Sequence, residues 1–166
     1  MSSFPEAMKT YKKQLQEGEI ITAYQGLMSY FNSLRTHFQK EYPHYQVPAN
    51  IYYGYMDMTY FAIIPEKLKE LDLKVALVFP HQEFRFEAWL AARNKKIQAR
   101  VWGAIQESGW TAYPLVPQGK GVDGILYHVL YQNPDFSNLP GLTARIEKEV
   151  LKFIQDLEHF IPKLTL

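Results

Sequence analysis

The chain has 166 residues and contains no cysteine. Disulfide bonds, thiolate nucleophiles and cysteine-ligated metal sites are therefore excluded. The chain also lacks an excess of charge of either sign, because 18 Lys and Arg residues against 17 Asp and Glu residues leave a formal net charge of +1. A protein that neutralises many phosphates carries a clear basic excess, so the composition argues against nucleic acid as a partner.

Long apolar runs are missing as well. No segment approaches the roughly 18 uninterrupted apolar residues of a membrane-spanning helix, and the first residues, MSSFPEAMKTYKK, lack the apolar core of a signal peptide. We therefore expect a cytoplasmic protein that does not associate with membranes. Hydrophobic residues still make up 47% of the chain, which is enough to bury one core, so we predict a single domain over residues 1–166.

The spacing of apolar residues predicts blocks of helix and strand. Steps of three and four residues indicate helices, and runs rich in Tyr, Ile, Val and Phe indicate strands. The predicted elements are helices over 5–16 and 20–38, strands over 51–64, 73–79 and 84–91, a helix over 95–108 capped by Asn94, strands over 110–116 and 125–131, and a helix over 143–160. This order, ααβββαββα, predicts an α+β fold with a mostly antiparallel sheet of about five strands covered by helices.

The predicted strand FRFEAWL, residues 84–90, alternates strictly between apolar and other side chains. Arg85, Glu87 and Trp89 should then share one face of the sheet. One interpretation is an ion pair on the outer face, which stabilises the fold only modestly. The other is a cleft walled by Trp89 and nearby tyrosines, in which Arg85 binds an anion and Glu87 acts as a base or hydrogen-bond acceptor.

Asp57 is the only charged residue in the tyrosine-rich predicted strand. Strand alternation places it on the same face as Tyr53 and Tyr55. A buried carboxylate without a partner is costly, so we expect a cation beside it, either Arg85 or a Lys or Arg near Arg93. Alternatively, Asp57 lies at an exposed strand edge or bulge and has no chemical role.

Arg93, Lys95 and Lys96 lie at the predicted start of a helix, where the helix dipole disfavours cations. We expect Glu83, Glu87 or an external anion to compensate this charge. Alternatively, the long side chains extend into solvent.

Several sequence signatures of catalysis and cofactor binding are missing. The glycine-rich loop over residues 117–124 has neither GxxxxGK(S/T) nor GxGxxG spacing, and GxSxG is absent. The five histidines form no metal-binding pattern, so we predict no metal site and no cofactor. His81, in the predicted turn beside Arg85, and His128, inside a predicted strand, are the candidates for proton transfer.

Two stretches of the chain resemble a known family. They are YGYMDMTYF at residues 53–61 and FRFEAWLA at residues 84–91, followed by Asn94 and Lys95. They are similar to a family of small bacterial proteins defined only as a domain of unknown function, and the resemblance spans most of the chain. It implies a bacterial cytosolic protein and supplies no activity, substrate or catalytic residue.

At the level of the fold, the predicted αβββαβ order over residues 20–116 resembles the core of the PD-(D/E)XK nucleases. That resemblance implies a strand Asp and a Glu-x-Lys motif that bind a divalent metal and activate water. Asp57 and Glu87 would fill the acidic positions, but Trp89 stands where that family has Lys, and Lys95 would have to replace it. The missing motif and the near-neutral charge argue against nuclease activity.

Three classes of function remain open. The first is a binding module whose aromatic-walled cleft takes a small polar or anionic ligand or a peptide-like partner. The second is a nuclease-like protein, metal-dependent or catalytically silent, and the third is an oligomerising protein that uses its aromatic residues as an interface. The candidate ligand-binding residues are Tyr53, Tyr55, Asp57, Arg85, Glu87, Trp89 and Lys95.

Overall fold

The computed structural model describes residues 1–166. Its elements are α1 (Phe4–Glu17), α2 (Glu19–Glu41), β1 (Met58–Ile63), α3 (Glu66–Lys69), β2 (Leu73–Pro80), β3 (Phe86–Ala92), α4 (Lys95–Ser108), β4 (Gly124–Tyr131), α5 (Leu139–Phe160) and a short 3-10 helix (Ile161–Lys163). The strands form one antiparallel sheet in the order β1-β2-β3-β4. The predicted α+β class is confirmed, but the sheet has four strands and not five.

Local signals define the ends of the helices. The carboxylate of Glu6 accepts a hydrogen bond from the backbone N–H of Ser3 at the start of α1. At the start of α4, the Asn94 side chain accepts from the backbone N–H of Ile97, which confirms the predicted cap. Gly18, with φ of 82°, is the single residue between α1 and α2. This left-handed conformation suits glycine, so α1 ends and α2 begins there.

One face of the sheet carries the core. Phe61, Leu77 and Leu90 point to it from β1, β2 and β3, and each is at most 1% exposed. The buried hydrophobic residues of α2, α4 and α5 join these side chains in a single cluster of 29 buried residues. In α2 the buried residues begin at Tyr30, and α1 has none. None of the helices combines the length and the apolarity needed to cross a membrane.

The predicted strand over 110–116 is wrong. In this segment Leu115 makes only an isolated bridge with Leu126 of β4. Pro114 and Pro117 lack the backbone N–H that a longer ladder needs, so the segment follows the edge of the sheet without becoming a fifth strand.

The predicted strand over 51–64 is confirmed only over its second half, as β1. Gly54 and Met56 have φ of 76° and 65°, left-handed conformations that interrupt an extended strand. A Cβ at Gly54 would lie 2.0 Å from the carbonyl oxygen of Met58, so this close turn requires glycine. The segment before β1 is therefore a loop with its own hydrogen bonds.

The predicted hairpin of β2 and β3 is confirmed. β3 begins at Phe86, two residues later than predicted, because Phe84 belongs to the turn: its φ is 51°, its N–H donates to the Pro80 carbonyl, and it is 58% exposed. The last helix begins earlier than predicted, at Leu139, because the side chain of Asn138 caps it.

Candidate functional site

The outer face of the sheet, opposite the core, carries Tyr60, Ala76, Val78, Glu87 and Trp89. Tyr60 pairs with Val78 and Val78 with Glu87, while Ala76 pairs with Trp89. Side chains of directly paired residues lie on the same face of a sheet. Glu87 and Trp89, two of the residues singled out in the sequence, therefore lie on the outer face.

Glu87 is the centre of a buried polar group on this face. The residue is only 4% exposed. Arg85 Nε donates to Glu87 Oε1 at 2.7 Å, and Trp89 Nε1 donates to Glu87 Oε2 at 2.6 Å. Arg85 Nη1 also donates to Gln132 Oε1 at 3.2 Å. The ion-pair interpretation describes these contacts, and Glu87 holds the side chains of Arg85 and Trp89 in place.

A depression of about 200 Å³, which we call the sheet cleft, lies beside Trp89 on the outer face. Its lining comes from β1, β2, β3 and the residue Asp123, and no helix contributes to it. Ala76 and Val78 of β2 are small side chains at its floor, at most 5% exposed. Because β2 runs between β1 and β3, the larger side chains of Tyr60 and Trp89 flank this floor.

Lys74 is the cation of the sheet cleft. It takes part in none of the salt bridges of the chain and makes no side-chain hydrogen bond. Lys74 and Tyr60 also border a neighbouring depression of about 300 Å³, where the rings of Tyr52 and Tyr60 lie 5.0 Å apart. An ammonium group without an acidic partner thus lines a surface rich in aromatic rings.

Two of the three cations at the start of α4 have carboxylate partners, and Lys96 has none. Lys95 Nζ lies 2.7 Å from Oδ1 of Asp123, the residue that lines the sheet cleft, and Arg93 Nη1 lies 3.2 Å from Asp72 Oδ1. The side chains of Lys95 and Asp123 are 62% and 81% exposed. The prediction that glutamates would compensate these cations is therefore wrong. Lys95 lies at the edge of the sheet cleft and neutralises its aspartate.

Asp57 lies in the loop before β1 and is exposed. Its Oδ1 accepts from the backbone N–H of Tyr55 at 2.8 Å, and this bond, with a second from the N–H of Met58, lowers the pKa of Asp57. Asp57 forms no salt bridge, so the expected cation partner, Arg85 or a Lys or Arg near Arg93, is wrong, and Asp57 is exposed as in the alternative. The neighbouring Tyr55 is 92% exposed. This segment is an exposed loop, apart from the sheet cleft.

No group of three or more His, Asp or Glu side chains is arranged so that it could hold a metal ion. The oxygens of Glu87 bind Arg85 and Trp89, and Asp57 is held by backbone N–H groups. This arrangement gives no support to the hypothesis of a metal-dependent nuclease.

A second depression, which no pattern in the sequence predicts, lies along the N-terminal half of α2. This apolar groove has a volume of about 520 Å³, and 9 of its 12 lining residues are hydrophobic. Ile20, Tyr24 and Leu27 line it from α2, and Met56 and Phe84 line it from two loops. Both loop residues have positive φ, a conformation that side-chain periodicity does not reveal.

His81 is a polar residue of the apolar groove. Its Nε2 lies 2.9 Å from the hydroxyl of the fully buried Thr59. Because that hydroxyl donates to the Tyr53 carbonyl at 2.7 Å, the imidazole donates through Nε2. Burial lowers the pKa of His81, and the charge of Asp57 partly opposes this. Burial therefore disfavours the charged form of His81, and in its neutral form the proton is on Nε2.

His128, the other candidate for proton transfer, joins β4 to α5. Its Nε2 lies 2.9 Å from Glu149 Oε2, and its ring contacts Tyr113 edge-to-face, with centroids 5.1 Å apart. Through these contacts His128 helps to pack α5 against the sheet. Its part in proton transfer stays a prediction.

Neither the curated proteins nor the solved structures contain a match to this chain. A family described as Domain of unknown function (DUF7000) matches residues 4–161, from the first residue of α1 to the first residue of the short 3-10 helix. The match confirms the resemblance to a family of unknown function, and the chain belongs to the DUF7000 family.

Proposed function

We propose that the protein is a binding module for a small planar anion, such as an aromatic carboxylate, that occupies the sheet cleft. The observation that carries the proposal is Lys74, a cation without an acidic partner that lines a depression flanked by Tyr60 and Trp89. Among the residues predicted from the sequence, Trp89 lines this cleft. Lys95 lies at its edge, because it pairs with the lining residue Asp123.

The charges around the cleft favour an anion. A carboxylate beside Lys74 gains a charge-assisted hydrogen bond, which is stronger than a bond between neutral groups. The neighbouring aromatic rings reduce the local dielectric and strengthen that bond. Asp123 would repel an anion if it were unpaired, but Lys95 neutralises it at 2.7 Å.

The size of the cleft favours a single ring. A cavity of about 150 Å³ is large enough to bind benzene, so the sheet cleft, at about 200 Å³, has room for one ring and an acidic substituent. The small side chain of Ala76 lets a ring approach the sheet, while Tyr60 and Trp89 offer aromatic surfaces on either side.

The other residues predicted from the sequence have different places in this proposal. Arg85 and Glu87 are positioning residues, because Glu87 holds both Arg85 and the indole of Trp89. Tyr53, Tyr55 and Asp57 do not line the sheet cleft. Their part in ligand binding stays a prediction.

The test is a calorimetric titration of the protein with benzoate, accompanied by tryptophan fluorescence. Benzyl alcohol, which is similar in size but uncharged, serves as the control ligand. We expect benzoate to bind and benzyl alcohol to bind far more weakly. Lys74→Gln should weaken benzoate binding by about tenfold, the equivalent of one charge-assisted hydrogen bond. Lys69→Gln, which removes an exposed lysine from α3, should leave binding unchanged.

A second variant tests the place of binding. Ala76→Leu puts a larger side chain on the floor of the sheet cleft and leaves Lys74 and Glu87 untouched. We expect it to abolish benzoate binding while the protein still unfolds cooperatively. The proposal is refuted if benzoate does not bind the natural protein, or if it binds the Lys74→Gln variant equally well.

A further inference from the structure

Helix α1 has an apolar stripe that is largely uncovered. Phe4, Met8, Tyr11 and Leu15 recur at steps of four, three and four residues, so they share one face of the helix. Phe4 is 78% exposed, Met8 44% and Tyr11 49%, and α1 has no buried residue. An amphipathic helix is normally stabilised by packing of its apolar face, so this stripe lacks a partner within its own chain.

The apolar groove is a second uncovered apolar surface. It follows α2 from Ile20 to Tyr30, the first buried residue of the helix. Several residues at its rim are large and exposed, among them Met56 at 52% and Phe84 at 58%. Apolar side chains gathered in this way mark an interaction surface.

The α1 helix cannot fill the groove of its own chain. Gly18 is the only residue between α1 and α2. Two helices that lie side by side and antiparallel need a connection of roughly two to five residues. With one connecting residue, α1 extends away from α2 and cannot fold back along it.

We propose that the protein forms a dimer in which α1 of each copy lies in the apolar groove of the other. The stripe from Phe4 to Leu15 is about 16 Å long and the groove from Ile20 to Tyr30 is about 15 Å long, given a rise of about 1.5 Å per residue. Both surfaces are apolar, and a helix in a groove is a common mode of recognition. When each copy places its α1 in the groove of the other, the stripe and the groove of both copies are covered. No further copy can then be added, so the assembly is a closed dimer.

This interface is independent of the sheet cleft. The groove lies along α2, on the helical side of the molecule, and it shares no residue with the depression around Lys74. Dimerisation can therefore fail while ligand binding succeeds, and the reverse is also true.

The mass of the full chain, measured by sedimentation velocity over a range of concentrations, tests the helix side of the interface. We expect the natural protein to sediment as a dimer. Met8→Glu places a charge in the stripe and should raise the dissociation constant by more than about tenfold, since a charge would enter an apolar site. Thr10→Glu adds the same charge away from the stripe and should leave the dimer intact. Met8 and Thr10 are both exposed, so we expect both variants to fold.

Gly26 offers a test of the groove side. It lines the groove from α2, and a Cβ there would meet no atom within 4 Å. Gly26→Leu should fill the groove, favour the helix and abolish the dimer. Gly103→Leu is the matched control, because Gly103 lies in α4, also has no atom within 4 Å of a Cβ and is away from the groove.

Mixing the two variants separates reciprocal exchange from other arrangements. The Met8→Glu chain keeps an open groove and the Gly26→Leu chain keeps an intact α1, so the mixture should form a heterodimer through one intact contact. Three results would overturn the proposal: a natural protein that is monomeric at every concentration, a Gly26→Leu protein that remains dimeric, or a monomer whose α1 binds vesicles of anionic lipid.

Discussion

Trp89 donates its indole N–H to Glu87 at 2.6 Å, two positions earlier on the same strand. Arg85 engages the other carboxylate oxygen, so a buried charge on the outer face is satisfied by the residues two positions before and two positions after it in the sequence. A carboxylate that is buried in this way stabilises a fold only while its donors remain in place. The orientation of Trp89, which flanks the sheet cleft, therefore depends on Glu87.

Replacing Glu87 with glutamine should lower the free energy of unfolding by about 1–3 kcal/mol. Glutamine has one acceptor oxygen in place of two, and its amide N–H groups would face the donors of Arg85 or Trp89. Urea denaturation measures the change. Lys95→Gln, which breaks a largely exposed ion pair with Asp123, should cost at most about 0.5 kcal/mol. Equal losses for the two variants would contradict this account.

At position 84 we expect the glycine variant to be more stable than the alanine variant, the reverse of the usual order. Both substitutions remove the contacts of the Phe84 ring with Phe79 and Phe136, at centroid distances of 5.3 and 6.0 Å. Only glycine relieves the left-handed conformation, which costs other residues about 1–2 kcal/mol. We expect Phe84→Gly to be more stable than Phe84→Ala by about 1 kcal/mol in urea denaturation. A more stable alanine variant would refute the assigned turn geometry.

His81 should make the stability of the protein depend on pH near neutrality. Burial holds its pKa in the folded state below the ordinary value of 6.5. Below pH 6.5 the unfolded chain therefore binds more protons than the folded chain, and the free energy of unfolding falls as the pH drops. More than about one pH unit above that value the imidazole is neutral in both states and contributes no slope.

The check for His81 is a comparison of unfolding free energies at about pH 7.5 and about pH 5.5. His81→Gln keeps an N–H donor for Thr59 but does not titrate, so its stability should fall less between these conditions than that of the natural protein. His44→Gln, at an exposed position, serves as the control. A fall in His81→Gln as large as that in the natural protein would show that other groups cause the pH dependence.

Much of the secondary structure could be predicted because its signals are local. Asn94 caps α4, and strict alternation places Arg85, Glu87 and Trp89 together. The strand prediction is wrong for the segment before β1 because Met56 adopts a positive φ that its side chain does not signal. The segment 110–116 has strand-like composition, but its prolines limit pairing at the sheet edge.

The candidate site could be predicted only in part. Trp89 was singled out because it stands in an alternating strand. Lys74 was not, since a lone lysine in a strand carries no pattern. Its importance comes from the absence of an acidic partner and from the rings of Tyr60 and Trp89, which β1 and β3 bring to either side of β2.

The sequence by itself determined the absence of cysteine chemistry, the near-neutral charge, the α+β class and most helix boundaries, because these depend on composition and on contacts within a few residues. Only the tertiary structure decided which charges meet. Asp57 accepts hydrogen bonds from its own loop, Lys95 pairs with Asp123, and Lys74 has no acidic partner. These outcomes depend on strand pairing and loop conformation, which set the distances between residues far apart in the chain. The same long-range packing leaves the stripe of α1 and the apolar groove uncovered.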